Sequence, residues 1–218
     1  MRNRDALPAH FVWNYSRAEI IADAVVHALG VALGLVGAII LIAQTSGAVP
    51  VVSAAIYAAA LLAVLGLSAA YNLWPVSPLK WLLRRFDHSA IYLLIAATYT
   101  PFLLRLKGGV LPFAMLAAIW LAASIGIVLK LALPGRFDRL SVALYLLLGW
   151  SGVILYDAIV SALSPTTLIL LAVGGALYSI GVIFHVWENL RYQNAIWHAF
   201  VLSAALCHYF AVLRTVAA

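Results

Sequence analysis

The chain has 218 residues, of which 66% are hydrophobic and only 9% charged, and its mean hydropathy is +1.08. Soluble domains carry roughly 25% charged residues, so this composition excludes a soluble globular domain and marks a polytopic membrane protein. Lys and Arg outnumber Asp and Glu by 13 to 7, but they stand singly or in pairs between apolar runs. They read as topology signals, not as a phosphate-binding surface, and exclude nucleic acid as a partner.

Residues 1–18 form a polar N-terminal arm carrying Arg2, Arg4, Asp5, His10 and Arg17. It lacks an apolar stretch followed by a small-residue cleavage site, so no signal peptide is expected, and His10 is assigned no role. Seven apolar stretches follow, at 20–43, 51–73, 88–105, 110–130, 141–160, 166–187 and 194–213. Each is close to the roughly 20 residues that a helix needs to cross the hydrocarbon core. The connections at 44–50, 105–109, 133–138 and 161–165 are short and punctuated by Gly or Pro. The runs are unbroken and rich in Leu and Ala, whereas a membrane barrel would alternate. An all-α, seven-helix membrane bundle forming one domain over residues 1–218 is therefore expected. The single cysteine, Cys207, lies in the last apolar stretch and leaves no intramolecular disulfide to form.

With the N-terminus in the cytoplasm, ten basic residues fall inside (Arg2, Arg4, Arg17, Lys80, Arg84, Arg85, Lys130, Arg136, Arg139 and Arg191) and three outside (Arg105, Lys107 and Arg214). That bias predicts N-terminus in and C-terminus out. The same topology gathers polar residues at the cytoplasmic helix ends: Glu19 and Asp23, Ser68 and Asn72, Asp87 and His88, His185 and Glu188, Asn194 and His198. His27 lies a turn deeper, on the face of Glu19 and Asp23 by the i, i+4, i+8 rule. Polar groups in hydrocarbon need partners or water, so a polar cavity open to the cytoplasm is expected. In the last apolar stretch, Asn194 and His198 share a face about 6 Å apart along the axis, and His208 lies roughly 15 Å further on. The outer half is poorer in polar groups, with Asp157 and His208.

The run Glu19-Ile-Ile-Ala-Asp-Ala-Val-Val-His27-Ala-Leu-Gly30, the block Arg85-Phe-Asp87-His88 through Thr98-Tyr-Thr-Pro101, and Ala195-Ile-Trp-His198-Ala-Phe-Val-Leu resemble the hemolysin III family, the bacterial branch of the progestin and adiponectin receptor group. The likeness runs from about Tyr15 to Val212. It implies a seven-helix protein of the bacterial inner membrane with a cytoplasmic N-terminus. It also implies a zinc site near the cytoplasmic face, made by one histidine of an S-x-x-x-H pattern on helix 2 and two of an H-x-x-x-H pattern on helix 7, with an Asp at the start of helix 3 holding a metal-bound water. This chain departs from the pattern. Helix 2 reads Ser68-Ala-Ala-Tyr-Asn72 and helix 7 reads Asn194-Ala-Ile-Trp-His198, so only His198, Asp87 and Ser68 match. The helix 1 position usually occupied by Asn in the family is Asp23. A neutral amide oxygen is a weak zinc ligand, so the metal does not carry over with the resemblance.

Two readings of the cluster stay open. In the first, no cofactor is bound. Asn72 and Asn194 bridge Asp87 and His198 in a hydrogen-bond network with His27, Glu19 and His88, and the protein binds or senses a membrane lipid or fatty-acyl ligand in membrane homeostasis. In the second, zinc or another divalent metal sits in a rearranged site of His198, Asp87, Asp23 and His27 or His88. A bound water would then attack a lipid amide or ester; the family is similar to the alkaline ceramidases, a membrane group proposed to be metal-dependent hydrolases. Asp87, Ser68 and Asp23 are the catalytic candidates and His198 and Asp87 the metal candidates. A pore or ion pathway is a third and weaker reading, since no selectivity ring is evident.

Overall fold

The computed structural model describes residues 13–106 and 109–217. Expectations placed on Arg2, Arg4, Asp5, His10 and Lys107 lie outside the described residues. Seven helices and no strand occur among the described residues: α1 (Arg17–Ala43), α2 (Ala48–Leu73), α3 (Pro78–Arg105), α4 (Leu111–Ala132), α5 (Asp138–Ala162), α6 (Pro165–Val186) and α7 (Gln193–Val216). All but α3 are long and apolar enough to cross a membrane.

Local chemistry sets the helix starts. Ser16 and Glu19 form a reciprocal capping box at α1. Ser77 and Ser164 accept backbone N–H bonds at α3 and α6, each followed by a proline whose fixed φ suits the first helical position. α5 and α7 begin after Phe137 and Tyr192, which hold left-handed φ values of 62° and 61°.

Two elements differ from expectation. α3 starts at Pro78, ten residues before the predicted 88. The sequence reading opens this helix at Asp87 and His88, yet Lys80 is wholly buried and Arg84 is paired with Asp138, so the helix continues through the charged stretch before them. α5 is interrupted by a 3₁₀ turn, Ser151–Leu155. The Tyr99 hydroxyl donates to the Gly149 carbonyl at 2.6 Å and accepts from Gly152 N–H at 2.8 Å, tying that break to α3.

The buried residues of α1, Asp23, His27, Gly30, Gly34, Gly37 and Leu41, recur every three or four positions and make one stripe. Its small members let α2 and α7 approach closely: a methyl on Gly30 would meet Leu65 and Leu202, and Tyr209 bonds the Gly37 carbonyl at 2.9 Å. α7 packs along α6, α1 and α3; α3 packs also on α2 and α4; and α5 touches α3 and α6 only sparsely. One apolar core lies around Leu41, Tyr57, Leu61, Phe102 and Tyr209, and a second around Tyr92, Ile119 and Leu155. Between α3, α5, α6 and α7 the loose seating of α5 leaves a cavity of about 1460 Å³.

Candidate functional site

Alternating helix directions bring the start of α1, the end of α2, the start of α3, the end of α6 and the start of α7 to one end of the bundle. There the His198 ring nitrogen Nδ1 lies 2.6 Å from Asp23 Oδ1. His27, one turn after Asp23, sets Nε2 3.6 Å from Asp23 Oδ2, too far for a hydrogen bond. The two imidazole rings are 4.4 Å apart. Asp23 and His27 are only 4% and 6% exposed, and His27 Nε2 is buried with no hydrogen-bond partner.

Glu19 explains why these residues meet. Its Oε2 accepts from Ser16 N–H and hydroxyl, and its Oε1 accepts from Tyr192 N–H at 3.0 Å. One carboxylate thus caps α1 and fastens the residue from which α7 starts. Glu19 was expected in the cavity network; its contacts make it the clamp between helices α1 and α7, beside a small pocket shared by Asp23, Asn72 and Asn194.

The remaining expected residues are near but differently engaged. Asn72 donates its amide to the Ser68 carbonyl at 2.9 Å and to the Ser68 hydroxyl at 3.4 Å, back along its own helix. It does not form the expected bridge between Asp87 and His198. Asp87 is buried, with Ser68 as a side-chain neighbour and His198 and His27 within electrostatic range. His88 lines the large cavity, its carbonyl accepting from the Tyr145 hydroxyl at 2.8 Å. The sequence marks His198 and Asp87 as a candidate metal pair. Among the described residues, the group of three or more ligand atoms lying within 4.8 Å of one another is that of Asp23, His27 and His198, which does not include Asp87. His208, at the far end of α7, lies 3.4 Å from the Leu171 carbonyl and takes no part.

Lys80 was read from sequence only as a topology signal. Its ammonium donates to the carbonyls of Tyr71, Asn72 and Trp74 at 2.8, 3.0 and 2.8 Å and lies 3.5 Å from the centroid of the Trp13 ring. It caps the end of α2 and holds Asn72 in place; a lone Lys after a helix end, where cations complement the dipole, was the available signal. Asp138 was likewise read only as loop. It joins Arg84 at 2.6 Å and Lys130 at 2.7 Å, fixing the adjoining ends of α3, α4 and α5 together.

Apolar helices around a buried carboxylate–imidazole cluster, with a large cavity beside it, define a multi-pass membrane protein with a polar centre at one end of its bundle. The chain belongs to the haemolysin-III related family, which it matches over residues 18–209. It is 40% identical over 198 residues to a protein named Hemolysin-3 homolog of Bacillus subtilis (strain 168), covering 89% of this chain and 93% of that one. It is 38% identical to Hemolysin-3 of Bacillus cereus, covering 89% and 90%. It is also 29% identical over 214 residues to the human Monocyte to macrophage differentiation factor, covering 95% and 88%, which supports the relation to the adiponectin receptor-like group.

Zinc, which the family resemblance implies, does not fit the residues at the implied ligand positions. Asn72 and Asn194 offer neutral amides where imidazoles are required, and Asn72 turns its amide nitrogen onto Ser68. A site of Asn72, Asn194 and His198 is therefore not a zinc site.

Proposed function

We propose that this protein spans the bacterial cytoplasmic membrane seven times, with its N-terminus in the cytoplasm, and binds one lipid or fatty-acyl ligand. The polar group of the ligand lies beside Asp87, Ser68, Asn194 and His198, and its chain runs between α3, α5 and α6. Occupancy of this cavity is how the protein senses membrane lipid state. The observation that carries the reading is the cavity itself, about 1460 Å³ and continuous from those polar residues to Leu94, Ile95, Phe102 and Leu171. Ligand sites join an apolar body to a few placed polar groups, and this one exceeds the roughly 300–1,000 Å³ usual for small molecules. The ten-to-three split of basic residues supports the orientation. The test is titration of a fluorescent fatty acid into the protein in lipid nanodiscs. Saturable binding near one per chain is expected, weakened at least tenfold by Thr98→Phe and Val182→Phe, which add bulk inside the cavity. Non-saturable uptake, or binding indifferent to both variants, contradicts it.

A second reading, hydrolysis of a lipid amide or ester, is supported by the carboxylate-held His198 at the polar end of the cavity. A histidine oriented by a buried carboxylate is the usual arrangement for moving a proton. This reading requires turnover that Asp87→Ala abolishes while the protein stays folded. No turnover across a broad panel of lipid amides and esters contradicts it.

A further inference from the structure

Resting on the lipid-binding reading above, we propose that Tyr178 of α6 and His208 of α7 form a second polar subsite of the large cavity, far from its polar end. This subsite selects an acyl chain that carries a hydroxyl group near its middle.

Three observations point there. The first is placement. Tyr178 and His208 both line the cavity, and their rings lie 5.5 Å apart. On α7, His208 stands about 15 Å along the helix axis from His198. The second is unmet hydrogen-bonding capacity. Among the described residues the Tyr178 hydroxyl has no hydrogen-bond partner, and His208 has one long contact, Nε2 at 3.4 Å from the Leu171 carbonyl. Both residues are half-buried, with surface left open to the cavity. Polar groups inside a protein are nearly always satisfied, so an open pair on an apolar cavity wall points to a bound polar group. The third is a seat built for the imidazole. An added methyl on Gly174 would overlap Cδ2 and Nε2 of His208, so that edge of the ring rests on the bare glycine of α6. The edge that carries Nδ1 is thereby turned away from the α6 backbone.

Packing alone does not account for this histidine. The Leu171 carbonyl lies inside α6, where it accepts from the backbone N–H four residues on and has no need of a side-chain donor. An imidazole also costs more to desolvate than a leucine of similar volume. The chemistry of a hydroxyl fits the pair. With Nε2–H directed at the Leu171 carbonyl, Nδ1 is left as an acceptor, and the Tyr178 hydroxyl is free to donate. A ligand hydroxyl gives its proton to Nδ1 and accepts the tyrosine proton, which satisfies all three groups. A methylene at the same depth leaves both protein groups unpaired, and sites built to bond a hydroxyl discriminate strongly against analogues that lack it. The group is neutral: Arg84, Asp87, Lys130, Asp138, Arg139 and Glu188 also line the cavity, and they stand at the helix ends of its other, polar end. An extended chain of about twelve carbons spans the distance from His198 to His208, which is mid-chain for an ordinary long fatty acid.

The test compares oleic acid with ricinoleic acid, which is oleic acid bearing one mid-chain hydroxyl. Each displaces a fluorescent fatty acid from the full chain in lipid nanodiscs. Ricinoleic acid is expected to bind the wild type about tenfold more tightly. Tyr178→Phe removes one oxygen and keeps the ring, and His208→Leu removes the acceptor. Each should bring the two acids to within about threefold of one another and leave oleic acid binding within about twofold of wild type. A tenfold preference kept in either variant overturns the proposal. The wild-type comparison needs no variant to fold: saturable oleic acid binding with no advantage for ricinoleic acid overturns the hydroxyl subsite alone. Saturable binding of neither acid overturns the lipid-binding reading and the subsite with it.

Discussion

Asp23 Oδ1 and His198 Nδ1 lie 2.6 Å apart, and this contact joins the first helix of the chain to the last, across 175 positions of sequence. Asp23 therefore both closes the bundle and makes its polar centre. Asp23→Asn should lower stability by about 1.5–3 kcal/mol, the range for a buried hydrogen bond involving a charged group. Asp157→Asn, at an exposed position of α5, should leave it unchanged. Thermal unfolding in detergent reads both; equal effects at the two positions contradict the assignment.

Lys80 donates to three backbone carbonyls at the end of α2. Lys80→Met keeps the apolar stem and removes the donor. With each unmet buried carbonyl costing about 1–3 kcal/mol, a loss of at least about 3 kcal/mol is expected. A thermal midpoint within error of wild type contradicts that role.

Glycines separate packing from flexibility. Gly126 faces Tyr92, whose ring would lie 2.6 Å from an added methyl, while an added methyl on Gly66 meets nothing within 4 Å. Gly126→Ala should cost about 1–3 kcal/mol through overpacking. Gly66→Ala should be neutral or stabilising by up to about 1 kcal/mol, because a helix favours Ala over Gly. Reversal of that order in thermal unfolding contradicts the packing of α4 on α3.

The charge split predicts that the C-terminus lies outside. An alkaline phosphatase fused after Ala218 should be active in a bacterial host and a green fluorescent protein at the same position dark; the opposite pattern contradicts seven spans with an inner N-terminus.

Much of the fold was legible because apolar run length is nearly sufficient to define a membrane helix. The stretches expected at 20–43 and 51–73 are helices over Arg17–Ala43 and Ala48–Leu73. α3 was shortened because burial of Lys80 depends on carbonyls eight and nine positions earlier, a relationship that hydropathy cannot express. The break in α5 depends on Tyr99, some fifty positions away. At the site, the residue types and the shared end of the bundle were readable from topology. The pairing was not. Asn72 and Asn194 drew attention as missing ligands, and the expected network put Asp87 opposite His198, whereas helix packing sets His198 against Asp23. Glu19 explains the difference, since its bond to Tyr192 N–H fixes where α7 begins.

A structure of the full chain determined in lipid nanodiscs tests the account most directly. Density for one acyl chain between α3, α5 and α6, with its polar group beside Asp87, Ser68, Asn194 and His198, is the expected result. A cavity that holds only water would contradict it.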